Sequence, residues 1–281
     1  MNEQLFKQLT QAKQASRHMM TMNTQSKNQA LIKIAQALKE HVLEIINENQ
    51  KDIEHAKASG MSDAMVDRLL LNEDRIVAMA DDVLKLVSLD DPVGDIIREI
   101  KRPNGLLIKQ VRVPIGIFGI IYESRPNVTV DIACLCIKSG NVCVLKGGKE
   151  AIHSNRILTK LMREAIKETL PVDCVQLIDY GGREMVDELI HAYGYVDVVV
   201  PRGGVGLIQH VVQNATVPVI ETGAGNCHLY IDKEADLKKA IDITVNAKIQ
   251  RPSVCNAIET ILVHQDIADT YLPLLYEAFH E

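Results

Sequence analysis

The sequence predicts an α/β fold. A parallel sheet buried on both faces follows a layer of helices and a protruding hairpin. Three observations carry this. Residues 1–90 repeat apolar side chains at helical spacing. From residue 114 onward, short β-branched runs alternate with helical patterns, which is how βαβ units read. Between these regions, residues 94–113 form two strand-like arms around Asn104-Gly105.

Each element follows from the chain in order. In Gln29–Ile46, the residues Leu31, Ile34, Ala35, Leu38, Val42 and Ile45 make one apolar stripe. Gly60 ends the next segment, and Ser62-Asp63 can cap a helix running through Met65, Leu69 and Leu70. These helices read as scaffold. Asn104-Gly105 suits a type I′ turn, in which both central residues need positive φ. A hairpin this polar is expected over a surface or a subunit contact. Strands are expected at Ile115–Tyr122, Val142–Leu145, Val175–Ile178, Val196–Val200, Val217–Ile220 and Thr260–Val263. Helices are expected between most of them, for example at Ile152–Leu170 and Arg183–Tyr193.

Composition excludes several classes. The chain has 281 residues, 47% of them hydrophobic and 24% charged, with a net charge of −6. No cluster of Lys and Arg marks a nucleic-acid footprint. The longest uncharged apolar run, Val113 to Tyr122, is too short to span a bilayer, and the first thirty residues hold no signal-peptide core. No membrane or nucleic-acid partner is expected. The six cysteines form no CxxC pair and no zinc spacing, so no metal is expected. Four lie in or beside β-branched runs, as buried thiols do, which implies a reducing, cytoplasmic compartment.

Ligands of open parallel sheets bind beyond the carboxyl ends of the strands, so those positions are where chemistry is sought. After the first strand comes Glu123-Ser124-Arg125-Pro126-Asn127. Asn127 is either a helix cap or an amide donor to a developing oxyanion. Arg125 is either a solvated cation or an attractor for an acyl phosphate. After the second strand, Lys146-Gly147-Gly148-Lys149 lets a ligand approach the backbone and offers a cation to a phosphate or ribose hydroxyl. Pro201-Arg202-Gly203-Gly204-Val205-Gly206 resembles a dinucleotide-binding turn with altered spacing, opening a helix whose N-terminus suits an anion. Glu221 ends another run and is either a general base or a salt-bridged acid. Cys255 follows the helix break at Arg251-Pro252 and is either core filling or a nucleophile.

The strings VPIGIFGIIYESRPNVTVD (113–131), NVCVLKGGKEAIHSN (141–155), PRGGVGLIQHVVQNATVPVIETGAGNCHLYID (201–232) and IQRPSVCNAIETILVH (249–264) resemble the aldehyde dehydrogenase superfamily. Within it they resemble the gamma-glutamyl phosphate reductases. The resemblance implies an aldehyde dehydrogenase-like fold with a Rossmann-type sheet. An NADP-binding domain would cover 1–223, with an oligomerisation arm at 94–113, and the first part of a catalytic domain would cover 224–281. It implies NADPH-dependent reduction of L-glutamate 5-phosphate to L-glutamate 5-semialdehyde and phosphate, in proline biosynthesis, through a thioester on Cys255. Asn127 and Glu221 would be the other catalytic candidates. Lys146, Gly147, Gly148, Arg202, Gly203, Gly204, Gly206 and Gly223 would contact the cofactor, and Ser124 and Arg125 the substrate. A homo-oligomer and a glutamate 5-kinase partner are implied for the full-length protein. Family members are considerably longer, so the chain is expected to stop partway through the catalytic domain and, made alone, to be poorly stable and inactive. An aldehyde dehydrogenase for another small semialdehyde and an inactive dinucleotide-binding fragment are the alternatives.

Overall fold

The computed structural model describes residues 1–221, 225–250, 252, 254 and 256–280. The chain divides into two compact units, Met1–Thr222 and Gly223–Glu281.

The first unit opens with α1 (Glu3–Met19), α2 (Thr24–Glu40), α3 (Val42–Ala58), α4 (Asp63–Leu69) and α5 (Glu73–Ser88). Asparagines set three of the starts. Asn2, Asn23 and Asn72 each accept a backbone N–H of the first turn, which satisfies amides that no helical carbonyl reaches. Ser62 stands at the start of α4 as expected, but its side chain makes no capping bond. The single stripe expected over Gln29–Ile46 is split at His41 between two helices. The break lets α2 pack on α5, α6 and α7 while α3 packs on α4 and α7.

The hairpin is β1 (Ile96–Lys101) and β2 (Leu107–Val111), antiparallel and almost wholly exposed. Its turn differs from the expected type I′. Gly105 has φ +84° but Asn104 is not left-handed, since Ser124 is the one non-glycine residue with positive φ among the described residues. Gly105 N–H donates to Arg102 O and Arg102 N–H to Leu106 O. Pro103 fixes its own φ near −65° and so favours a type I turn with the left-handed glycine after it.

The sheet consists of β3 (Ile117–Tyr122), β4 (Val142–Gly147), β5 (Val175–Leu177) and β6 (Val198–Arg202). They lie in the order β5-β4-β3-β6, all parallel. The strand expected at Val217–Ile220 is reduced to one bridge between Val199 and Val219. Pro218 has no N–H and contributes only its carbonyl, to Val199 N–H, so a longer ladder cannot form there. The helices α6 (Asn127–Lys138), α7 (Ile152–Ile166), α8 (Arg183–Ile190) and α9 (Val205–Asn214) connect and follow the strands. The core runs from Leu5 and Leu31 in the helical layer through Ile120, Val144 and Leu145 of the sheet. Cys134, Cys136, Cys143 and Cys174 are buried in it.

Two features of this layout position the site. β3 leads to β4 and β5 on one side while β6 lies on its other side, so the order in which strands are added reverses between β3 and β6, which places a crevice at their carboxyl ends. The start of α7 is held from outside its own segment. The buried Asp52 of α3 accepts Ser154 N–H at 2.8 Å, Ser154 Oγ–H at 2.6 Å and His153 N–H at 3.2 Å. A carboxylate at a helix N-terminus is favoured both by these bonds and by the helix dipole.

The second unit is β7 (Cys227–Ile231), α10 (Leu237–Ile249), β8 (Ile258–Val263) and α11 (Gln265–Ala278). β7 and β8 pair in parallel, and Ile231, Ala240, Tyr271 and Leu275 form its core. β7 was not among the expected strands. Its Cys-His-Leu-Tyr-Ile alternates inward and outward residues, a period-two signal too short to stand out. Among the described residues no helix is long and apolar enough to cross a membrane.

Candidate functional site

The carboxyl ends of β3 and β4 open into a cleft of about 590 Å³, whose lining includes Glu123, Ser124, Lys146, Gly148, Arg183 of α8 and Leu207 of α9. A second groove of about 530 Å³ adjoins it, bounded by Arg183 and Asp187 of α8 and by Gly206 and His210 of α9. Glu123, Arg183, Val186 and Leu207 line both.

Lys146 occupies the penultimate position of β4, opposite Ile121 of β3. It is 8% exposed, and among the described residues its Nζ donates only to Gly147 O, at 3.4 Å. Burial lowers its pKa, while Glu184, Glu150 and Asp179 act in the opposite direction. A buried ammonium with one long hydrogen bond is poorly compensated by the protein. A phosphate or ribose oxygen in the cleft would complete its coordination, so the donor set fits a dinucleotide.

The glycines around it differ in what requires them. A Cβ on Gly147 would meet Asn155 Nδ2 at 2.2 Å and the Tyr122 ring at 3.1 Å, so this glycine serves packing. Behind it runs a buried chain in which Tyr122 Oη and Thr129 Oγ1 share a hydrogen bond of 2.7 Å and Thr129 Oγ1 donates to Asn155 Oδ1 at 2.9 Å. Gly148 faces the Glu150 carboxylate and Gly203 that of Glu123, while Gly206 faces open space.

The turn after β3 is strained and doubly anchored. Ser124 has φ +45°, which is costly for a residue with a Cβ. Its N–H and Oγ–H both donate to Glu150 Oε1, at 2.6 and 3.0 Å. Glu123 N–H donates to Arg202 O at 3.1 Å, and Glu123 Oε2 accepts Gly204 N–H at 2.9 Å. Sequence reasoning assigned no role to Glu123, Glu150 or Arg183. The available signal was position: Glu123 directly follows a strand, and Glu150 follows the Lys-Gly-Gly turn.

The remaining candidates separate. Arg125 is partly buried on the strained turn, and Arg202 ends β6. Asn127 is the first residue of α6, not its cap. The cap position is Pro126, and the Asn127 amide donates to Asp131 Oδ2 at 2.8 Å. Burial raises the pKa of Asp131. Glu221 is exposed just past Ile220. Cys255 and Gly223 lie outside the described residues. Among the described residues no group of three His, Cys, Asp or Glu side chains could hold a metal ion.

The aldehyde dehydrogenase family model matches residues 2–281. The chain belongs to this family. It is 53% identical over 271 residues to the gamma-glutamyl phosphate reductase of Carboxydothermus hydrogenoformans, covering 96% of this chain and 65% of that protein. It is also 53% identical over 282 residues to the one from Clostridium botulinum strain Alaska E43, covering 100% of this chain and 68% of the relative. The crystal structure of gamma-glutamyl phosphate reductase from Thermotoga maritima superposes with a TM-score of 0.89 at 46% identity, covering 98% of this chain and 67% of that one. The chain thus spans about two thirds of the length of these relatives. The aldehyde dehydrogenase family fold accounts for the helical layer, the parallel sheet and the crevice at its carboxyl edge.

Proposed function

We propose that this chain belongs to an enzyme that reduces L-glutamate 5-phosphate to L-glutamate 5-semialdehyde and phosphate with NADPH, in proline biosynthesis. The observation that carries the reading is the cleft at the ends of β3 and β4, with its buried Lys146, in a chain 53% identical to relatives named gamma-glutamyl phosphate reductase. Lys146, the Gly148 turn and the α9 N-terminus at Gly204 would hold the dinucleotide, with Gly206 and Arg183 beside the adjoining groove. An additional phosphate on the cofactor suits the cations Lys146, Lys149 and Arg183 that line the cleft. When bound, NADPH supplies the hydride that brings the acyl group to the aldehyde level.

The chain's own part in the chemistry falls to Cys255, on the strength of the RPSVCNA string. Its thiolate attacks the acyl carbon, the C–S bond forms, and the C–O bond to phosphate breaks. The thiolate leaves again when the aldehyde is released. Asn127 is the proposed donor to the acyl oxygen, which requires its amide to turn from Asp131. Ser124, which lines the cleft, and Arg125, next to it on the turn, are the proposed substrate contacts. Glu221, in a step that must exclude water, is proposed for proton handling and not for water activation. The exposed Ile96, Ile97, Leu107 and Ile108 of the hairpin support its role as an arm that packs on another copy, and a glutamate 5-kinase is the proposed supplier of the acyl phosphate.

The test is Cys255→Ala in the full-length protein. The variant is expected to lose NADP⁺ reduction by glutamate semialdehyde in the presence of phosphate while keeping its circular dichroism spectrum. Retained turnover removes Cys255 as the nucleophile, and turnover without phosphate or arsenate removes the acyl-phosphate reading.

A further inference from the structure

The helix N-terminus that lines the groove beside the cleft already holds an anion. Gly204 is the N-cap of α9, and its N–H donates to the carboxylate of Glu123 at 2.9 Å. Free amides and the dipole favour negative charge there, whether it comes from a side chain or a ligand. The neighbouring glycine is shaped by the same carboxylate, since a Cβ on Gly203 would lie 2.4 Å from Glu123 Oε2. Lys146, more than nine-tenths buried in the adjoining cleft, has one 3.4 Å contact among the described residues and points to an anionic ligand independently of the helix.

We propose that Glu123 sets the affinity for the cofactor. Its carboxylate occupies the α9 N-terminus until the phosphates of a dinucleotide displace it. The inference rests on the dinucleotide reading of the cleft. Glu123 lines both the cleft and the adjoining groove, so a ligand extending from one to the other passes it. The side chain is exposed and, among the described residues, held by one bond to a backbone amide, so it leaves at small cost. The turn that carries it does not depend on that bond. Ser124 is fixed by Glu150, and the Glu123 backbone by Arg202 O. Displacement therefore moves a side chain and leaves the strained turn in place.

The experiment compares the full-length protein with its Glu123→Gln and Glu123→Ala variants. NADPH is titrated by fluorescence and inorganic pyrophosphate by calorimetry. Removing a competing charge from a helix N-terminus is expected to tighten both ligands about threefold in the alanine variant. The glutamine variant should fall between, because it keeps an acceptor without the charge. Unfolding midpoints without ligand should stay close together. Unchanged or weaker pyrophosphate binding in Glu123→Ala overturns the proposal, and weaker NADPH binding would mean that the carboxylate contacts the cofactor. If none of the three proteins binds NADPH, the dinucleotide reading fails; pyrophosphate still decides the gate, and its failure to bind any of them overturns that too.

Discussion

Two turns in this molecule are near twins in sequence and opposites in use. Lys146-Gly147-Gly148 ends β4, and Arg202-Gly203-Gly204 ends β6. In the first, the cation is buried and the glycine beside it is pressed against Asn155 and Tyr122. In the second, the cation is partly exposed, the glycines face a movable carboxylate, and Gly206 beyond them faces nothing. β4 has a neighbour on each side and leads into a helix anchored by Asp52. β6 has β3 on one side and a single bridge on the other. The first glycine of the central turn is consumed by packing against neighbouring side chains, while the first glycine of the marginal turn is crowded mainly by an exposed carboxylate.

The largest expected effect breaks the packed turn. Gly147→Ala drives a methyl into Asn155, which is itself bonded to Thr129, and should cost about 1–3 kcal/mol, read as a lower thermal midpoint. A midpoint equal to wild type would make Gly147 a ligand contact and erase the contrast.

Lys146→Met sharpens the same comparison. It should weaken NADPH binding by about tenfold, the loss of one charge-assisted contact. It should also stabilise the fold at neutral pH. Burial holds the folded-state pKa of Lys146 below its unfolded value, so the charged form is penalised in the native state. That penalty is fully present below the depressed pKa and fades as pH rises toward the ordinary lysine value of about 10.4. The stability gap between variant and wild type should therefore narrow as pH is raised, measured by urea unfolding across that range.

The smallest effect lies in the open turn. Gly206→Ala in the first turn of α9 meets no atom within 4 Å. It should stabilise by up to about 1 kcal/mol, through helix propensity alone. A loss of stability would mean that this turn is packed as tightly as its twin.

Much of this arrangement was legible in the chain. The strand at Ile117–Tyr122 and the glycine turns after β4 and β6 lie where periodicity and turn residues placed them. Pro218 cut short a strand that β-branched composition favoured, and Pro103 reset a turn that Asn-Gly favoured. In both cases one proline's missing N–H or fixed φ outweighed the residues around it. The alternatives for Asn127 were settled against capping only by its amide reaching Asp131 one helical turn on.

The sequence by itself determined the four strands of the parallel sheet, the glycine turns at the ends of two of them, and that Lys146 stands at one of those ends. These follow from local spacing, which is the same whatever the strand order. The tertiary structure alone decided that β6 lies beside β3, and so that Glu123 reaches Gly204 and that Glu150 holds Ser124. Those contacts join residues far apart in the chain. They arise when apolar strands bury against one another, a process that local patterns drive but do not order.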